Sequence, residues 1–391
     1  MLHFSEKKRL AGPYTLGLFS FTFFTLSLIF TIFSAEYASA WEKALEPRNF
    51  SFPRDHGSHP QFKTEWWYVT GQLSTEKKRS FGFQFTIFRH GIKENSPEKA
   101  TLKNPWQVRD LFILHCALSD IENQRFLSHQ DISRAGPGLA GALENNMETW
   151  LKGNRITFNE KTQLIELTAK TPDYELALEL KPTYPPILNG NRGLSAKGSK
   201  PGQASYYYSW PRLTTKGLLK LSEESFAVKG LSWLDREFAT NQLGPEQAGW
   251  DWFALHFDDG QALMLYRMRL KNGAQDRSSS GTWIFPDGSS QHLSNQDFEL
   301  IPGPTWNSPE SGADYPVNWK LKLKKPAPMQ LTISALLLNQ EMNTANTALA
   351  NYWEGTVKVE VLDDAKRKLN GRGYLEMTGY DQTLKALQKR D

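Results

Sequence analysis

The chain carries the same aromatic hairpin twice. Glu65-Trp66-Trp67-Tyr68-Val69-Thr70-Gly71 opens one that ends at Phe88-Arg89. Gly249-Trp250-Asp251-Trp252-Phe253-Ala254-Leu255-His256 opens another that ends at Tyr266-Arg267-Met268-Arg269. Aromatic and β-branched residues favour strands, and an isolated hairpin with this much indole has nothing to bury it against. Each copy therefore demands its own sheet, and the repeat constrains the chain to a duplicated β architecture.

The repeat extends beyond the hairpins. Aligning Trp67 with Trp252 gives an offset of 185, and Arg89 with Arg269 an offset of 180, the turn Ser74–Ser80 being the longer one. In this alignment the acid and the indole exchange places between Glu65-Trp66-Trp67 and Trp250-Asp251-Trp252. Towards the ends of the halves, Tyr206-Tyr207-Tyr208-Ser209-Trp210 leads to Lys229-Gly230-Leu231-Ser232-Trp233, as Asn351-Tyr352-Trp353-Glu354-Gly355 leads to Arg372-Gly373-Tyr374-Leu375. There the offset falls to 143, from Gly230 to Gly373, so the second half is a shortened copy.

Strand signals dominate elsewhere. Thr64–Leu73, Phe81–Arg89, Leu111–Ser119, Gln163–Ala169, Tyr174–Leu180, Trp252–Phe257 and Ala262–Leu270 are short runs of aromatic and branched residues bounded by turn formers. Asp258-Asp259-Gly260 is a hairpin turn, because glycine accepts positive φ. Long helices are few, and Asn339–Tyr352 is the best candidate for a short one. Without a βαβ rhythm, the expected class is all-β, with two tandem antiparallel barrels or sandwiches. The expected domains are 41–238 and 239–391, joined around Phe238–Gly249.

Residues 1–40 read as a targeting segment. Lys7-Lys8-Arg9 precedes an uncharged stretch from Leu10 to Ala35, and Ala38-Ser39-Ala40 offers a cleavage site. The stretch is also long enough to serve as an uncleaved inner-membrane anchor. A periplasmic or extracellular location is expected. The one cysteine, Cys116, excludes an intramolecular disulfide, and its apolar surroundings mark it as a buried thiol. The net charge of +4 is too small and too dispersed for nucleic acid.

Three clusters carry candidate chemistry. Asp55, His56 and His59 lie in a Pro- and Gly-containing loop just before Glu65. No further His or Cys completes a zinc pattern, so no metal is expected. The loop either bonds its own backbone or donates hydrogen bonds at a cavity mouth. In Trp233-Leu234-Asp235-Arg236-Glu237-Phe238, strand alternation puts Trp233, Asp235 and Glu237 on one face. Two carboxylates so placed repel, and burial beside indole raises a carboxyl pKa towards neutrality. The alternative is a pair solvated at a strand end or bonded to Arg236. Finally, His256 shares a face with Trp250 and Trp252, as a core histidine or as the polar group of an aromatic pocket. There is no nucleophile elbow, Walker loop or dinucleotide fingerprint, and no cofactor is expected.

Phe52–Gly71, Gly230–Phe238, Gly249–Arg269 and Gly371–Tyr380 together resemble the AttH-like, or carotenoid 1,2-hydratase-like, family of lipocalin-type proteins. The resemblance spans nearly all of the chain after residue 40. It implies two tandem lipocalin-like β-barrel domains with a ligand cavity near their junction. In the hydratase branch an acid protonates an isolated alkene and water traps the cation. By position that acid is Asp235, with Glu237 beside it. Where the hydratases place a Tyr two residues before the acid, this chain has Trp233, and their upstream His-and-Trp pair falls among Tyr206, Tyr208 and Trp210 without the His. These departures argue against a carotenoid as the substrate.

The expected ligand-binding set is His56, His59, Glu65, Trp66, Trp67, Tyr68, Tyr208, Trp210, Trp233, Arg236, Trp250, Trp252 and His256. The expected ligand is an apolar or amphipathic small molecule: an isoprenoid, polyene or lipid. Two readings stand: acid-assisted hydration or isomerisation, with hydrolysis disfavoured, or a non-catalytic carrier working beside the permease of an envelope transporter.

Overall fold

The structure, a computed structural model, describes residues 41–93, 108–136, 138–344, 350–361 and 370–381. The expected leader, residues 1–40, lies outside the described residues. The described part is all-β, with one 3-10 turn at Arg54–His56. Of the expected helix Asn339–Tyr352, residues 345–349 lie outside the described residues. The flanks are strand instead: Glu341–Met342 pairs with Tyr352 and Trp353 at the start of the strand Tyr352–Val361.

Two antiparallel sheets curl into two nearly closed barrels within the compact unit Trp41–Asp391. In the first, the order runs Arg125–Arg134, Asp110–Asp120, Ser80–Gly91, Thr64–Ser74, Glu224–Ala239, Ala204–Leu221 and Tyr174–Pro182, then outward through Leu164–Lys170, Asn154–Asn159 and Glu148–Leu151 to Ala140–Ala142. The far edges approach each other, and Lys152 pairs with Asp131 across the seam at 2.6 Å. The second barrel repeats this order from Ser290–Ser294 through Ser280–Ile284, Ala262–Leu270, Gln247–Phe257, Asn370–Thr378, Tyr352–Val361, Met329–Ala335 and Asn318–Leu323 to Phe298–Pro302. The first strand of each barrel thus lies between its hairpin partner and its last strand. The first sheet ends at Ala239 and the second begins at Gln247.

Each barrel bore is filled by side chains. Trp67, Val69, Phe83, Phe85, Leu114 and Cys116 pack inside the first, and Phe253, Leu255, Trp283, Trp319 and Trp353 inside the second. A third cluster lies between the barrels and draws on both: Tyr68, Tyr207 and Trp233 from one, Trp252, Met264, Tyr266 and Tyr374 from the other. The sequence shows why. Tyr174–Pro182 alternates buried and exposed residues, as expected with one face in water. Thr64–Ser74, Ala262–Leu270 and the second half of Glu224–Ala239 are buried nearly without alternation, because the other barrel covers the outer face.

Close strand crossing explains a glycine on the last strand of each barrel, although the two do not occupy equivalent places in the pairing register. A Cβ on Gly230 would lie 1.8 Å from the Gln72 carbonyl oxygen, and one on Gly373 2.0 Å from that of Ala254. Both positions pack the last strand of a barrel onto its first.

The register corrects the alignment of the repeat. Across the first strand pair Trp66 faces Glu237, and across the second Trp252 faces Glu376. Trp66, not Trp67, is therefore the counterpart of Trp252, and Glu65 that of Asp251. A one-residue slip would turn every side chain to the opposite face of the sheet. Trp67 indeed points into a barrel bore, whereas Trp252 points between the barrels. Acid lies on acid and indole on indole. Likewise Arg267, directly across from Asp251, takes the place that Arg89 has across from Glu65.

Candidate active site between the two barrels

The outward faces of the Trp strands meet at a cavity of about 60 Å³. At roughly 15 Å³ of such space per water, it holds about four water-sized groups. Its walls are Trp66, Tyr68 and Tyr207 from the first barrel and Trp250, Trp252, Tyr266 and Met268 from the second. Lys197, Asp235, Glu237, Gln242, Leu243 and Glu376 complete the lining. Trp66 and Trp250 are only half-buried and stand where the apolar wall meets the surface.

Asp235 is 3% exposed, held on a central strand between Thr64–Ser74 and Ala204–Leu221. Three donors reach its carboxyl. The Tyr207 hydroxyl donates to Oδ2 at 2.6 Å, and the Ser209 hydroxyl and Trp233 Nε1–H donate to Oδ1 at 2.5 and 2.6 Å. Such bonds favour the carboxylate, but burial opposes them and is the larger effect. With a smaller contribution from Glu237, the pKa is raised to about 7. When Asp235 carries its proton, one of the two hydroxyls becomes an acceptor. Tyr207 already accepts from Trp252 Nε1–H at 3.1 Å, and Ser209 accepts from Asn189 Nδ2–H at 2.8 Å. N–H groups of Trp233, Trp252 and Asn189 thus fix the carboxyl and its two hydroxyl partners in place.

Glu237 has a different partner. Lys197 Nζ lies 3.3 Å from its Oε1, and 4.8 and 4.0 Å from the ring centres of Tyr207 and Tyr266. Burial works against the ammonium, but Glu237, through its charge and hydrogen bond, together with Tyr266 and Asp235 outweighs it and raises the Lys197 pKa. Arg236, considered from sequence as the partner of Glu237, points to the other side of the sheet, as strand alternation requires.

The other expected residues divide by face. Trp66, Tyr68, Trp250 and Trp252 line the cavity with Asp235 and Glu237, and Trp233 supports Asp235 from behind. His256 is buried beside Trp233, and its Nε2 meets the Pro211 carbonyl. His56, His59, Glu65, Trp67, Tyr208, Trp210 and Arg236 lie elsewhere, in a packed polar plug at the mouth of the first barrel. There Arg89 and Arg236 both pair with Glu65, whose carboxyl also accepts from Ser58 Oγ–H at 2.6 Å and His59 N–H at 3.0 Å. Burial raises the Glu65 pKa, but the two guanidinium groups reverse this and hold it well below the carboxylate range. Arg236 lies 3.9 Å over the Trp67 ring. His59 Nε2 is 3.0 Å from Asp55 Oδ1. His56 Nδ1 lies 2.7 Å from the Tyr208 hydroxyl, and burial lowers the His56 pKa to about 3. Among the described residues no cluster of His, Cys, Asp and Glu could hold a metal ion.

Sequence reasoning missed Lys197, Tyr207, Ser209, Tyr266, Met268 and Glu376. In the run Tyr206–Trp210 it picked the even positions, which point into the first barrel, and not Tyr207 and Ser209, which face Asp235. The pairing with Glu224–Ala239 decides that frame, and a single strand does not reveal it.

A profile of the AttH-like family matches residues 43–380. The chain belongs to the AttH-like family. This AttH-like chain is similar to the crystal structure of an AttH-type protein, NE1406, of Nitrosomonas europaea, at 32% identity and TM-score 0.77, covering 87% of this chain and 99% of that one. It also resembles kievitone hydratase of Nectria haematococca, at 15% identity and TM-score 0.65 over 87% of this chain and 99% of that one. A third solved relative is CghA with Sch210972, at 11% identity and TM-score 0.50, covering 86% and 95%. The last two show the shared fold alone. No functionally curated protein matches the sequence.

Proposed function

We propose that the AttH-like chain binds the apolar end of a small isoprenoid-type molecule between its barrels and adds water across, or shifts, an alkene there. The observation that carries this reading is Asp235: a carboxyl shielded from water, poised to hold its proton near neutral pH, in the wall of an aromatic cavity. Alkene protonation needs a proton donor of this kind, and indole faces stabilise the cation that follows. The fold shared with a protein named a hydratase supports the reaction class. The cavity volume limits the size: about four water-sized groups, such as the isopropylidene end of a prenyl chain, enter, and the remainder of the ligand lies past Trp66 and Trp250.

We further propose that the protein is exported by residues 1–40 and works in the periplasm, beside the membrane or anchored to it. A carrier serving an envelope transporter would use the same apolar walls but gains nothing from a shielded acid, which favours the catalytic reading.

The test is incubation of the full chain with a dimethylallyl phenol in ¹⁸O-water, read by mass spectrometry. The expected result is a product 20 Da heavier than the probe, lost in Asp235→Asn while quenching of tryptophan fluorescence by the probe persists. Quenching without product in the unaltered protein would favour the carrier, and neither quenching nor product would exclude both.

A further inference from the structure

The two barrels present the same cross-strand pair to the cavity from opposite sides. Trp66 faces Glu237 in the first barrel, and Trp252 faces Glu376 in the second. The pairs occupy equivalent places in the repeat, but their charges are handled differently. Lys197 neutralises Glu237. Glu376 lines the same cavity, is half-buried, and has no ion-pair partner among the described residues.

What lies behind Glu376 is another carboxyl. Glu354 is directly opposite it on the neighbouring strand and is 1% exposed. Side chains at such positions are roughly 5 Å apart at Cβ, and like charges there repel. The Tyr68 hydroxyl, on the first barrel, faces Glu354 without a hydrogen bond of normal geometry. Tyr352 neighbours the pair and shares a 2.7 Å hydrogen bond with His115 Nδ1. The C-terminal barrel thus brings a pair of acids, without a counter-ion among the described residues, to the wall opposite Asp235.

We propose that Glu376 is a second catalytic carboxyl, the proton acceptor that complements Asp235, with Glu354 as the positioning residue behind it. The inference rests on the alkene-protonation reading of the same cavity. The cycle starts with Asp235 protonated and Glu376 ionised. The π pair of the alkene takes the Asp235 proton at its less substituted carbon, leaving a tertiary cation. A water oxygen lone pair forms the C–O bond as Glu376 takes one of that water's protons. The product is the tertiary alcohol, and the net change on the protein is one proton moved from Asp235 to Glu376. Return of that proton resets the site. Because Glu354 disfavours a second negative charge beside it, proton exchange at Glu376 is tied to the state of the pair and not to either acid alone. Burial raises the Glu376 pKa above the usual carboxylate range against a hydrogen bond from Trp250, with smaller upward contributions from Glu237 and Asp235.

An ionised Glu376 facing indoles should recognise a compact cation of the size of the intermediate. Choline and its uncharged isostere 3,3-dimethylbutan-1-ol are the probes, titrated against tryptophan fluorescence of the full chain at pH 8. The expected result is choline binding at least tenfold tighter than the isostere, with that preference erased in Glu376→Gln and in the unaltered protein at pH 5. The pH arm decides the matter if the variant folds poorly. Equal binding of the two probes, or a preference unchanged in Glu376→Gln, would overturn the role of Glu376 and leave the ¹⁸O test of Asp235 standing. Failure of both probes to bind would remove the cavity reading itself.

Discussion

Two buried carboxyls on opposite faces of one sheet illustrate opposite uses of one functional group. Glu65, at the mouth of the first barrel, is fully buried and ionised, because Arg89 and Arg236 both reach it. Asp235, on the outer face of the same sheet, is almost as buried but receives only neutral donors from Tyr207, Ser209 and Trp233. Hydrogen bonds from neutral groups do not replace the hydration that burial removes, whereas two guanidinium groups do. The result is a low pKa in the plug and a raised one in the cavity. Asp251 with Arg267 and Arg269 repeats the first arrangement in the second barrel. The arginine-held acids therefore belong to the repeated fold, and the acid without a cation belongs to the site.

The largest expected effect is in the plug. Glu65→Gln leaves two guanidinium groups facing a neutral amide, and removing one partner of a buried ion pair costs about 3–5 kcal/mol. Urea denaturation at pH 7 should show a loss of this size. The Glu65 pKa is depressed, so its contribution is present above the unfolded-state pKa and is lost on acidification. The difference between the two proteins should therefore shrink as pH falls.

Asp235→Asn should act in the opposite direction. The raised pKa means that the native state holds a proton that the unfolded chain releases above about 4. Stability is therefore lost as pH rises through the window from about 4 to about 7. The amide that replaces the carboxyl does not titrate. The variant should gain on the unaltered protein across that window, by up to about 4 kcal/mol at pH 8, at roughly 1.36 kcal/mol for each pH unit between the two pKa values. Paired denaturation curves at pH 4 and pH 8 check this. Equal pH dependence in the two proteins would mean that Asp235 is ionised throughout.

A smaller effect is expected from Tyr207→Phe. It removes one donor to the carboxylate and frees Trp252 Nε1–H, costing about 1 kcal/mol. The loss of that donor should move the Asp235 titration upward. A downward shift would show that Tyr207 bonds chiefly to the protonated form.

The sequence made much of this legible, for reasons that can be named. The expected strands lie within a few residues of those found, because aromatic runs end at turn formers such as Asp258-Asp259-Gly260, where Gly260 takes φ +92°. The cavity acids Asp235 and Glu237 stood out because strand alternation put them on one face with Trp233. Which face that was did not follow. The burial of both faces of Thr64–Ser74 depends on a second barrel far along the chain, so Glu65, Trp67 and Arg236 read like cavity residues. Glu376 was hidden differently: its equivalence to Glu237 becomes visible only once the repeat is aligned by pairing register, one residue from the alignment of Trp67 with Trp252.

Carboxyl titration by infrared difference spectroscopy, comparing the unaltered protein with Asp235→Asn between pH 5 and 9, tests the central claim most directly. A protonated-carboxyl C=O band is expected at pH 6, absent from the variant and disappearing with a midpoint near 7. A difference spectrum in which Asp235 is already a carboxylate at pH 5 would contradict it.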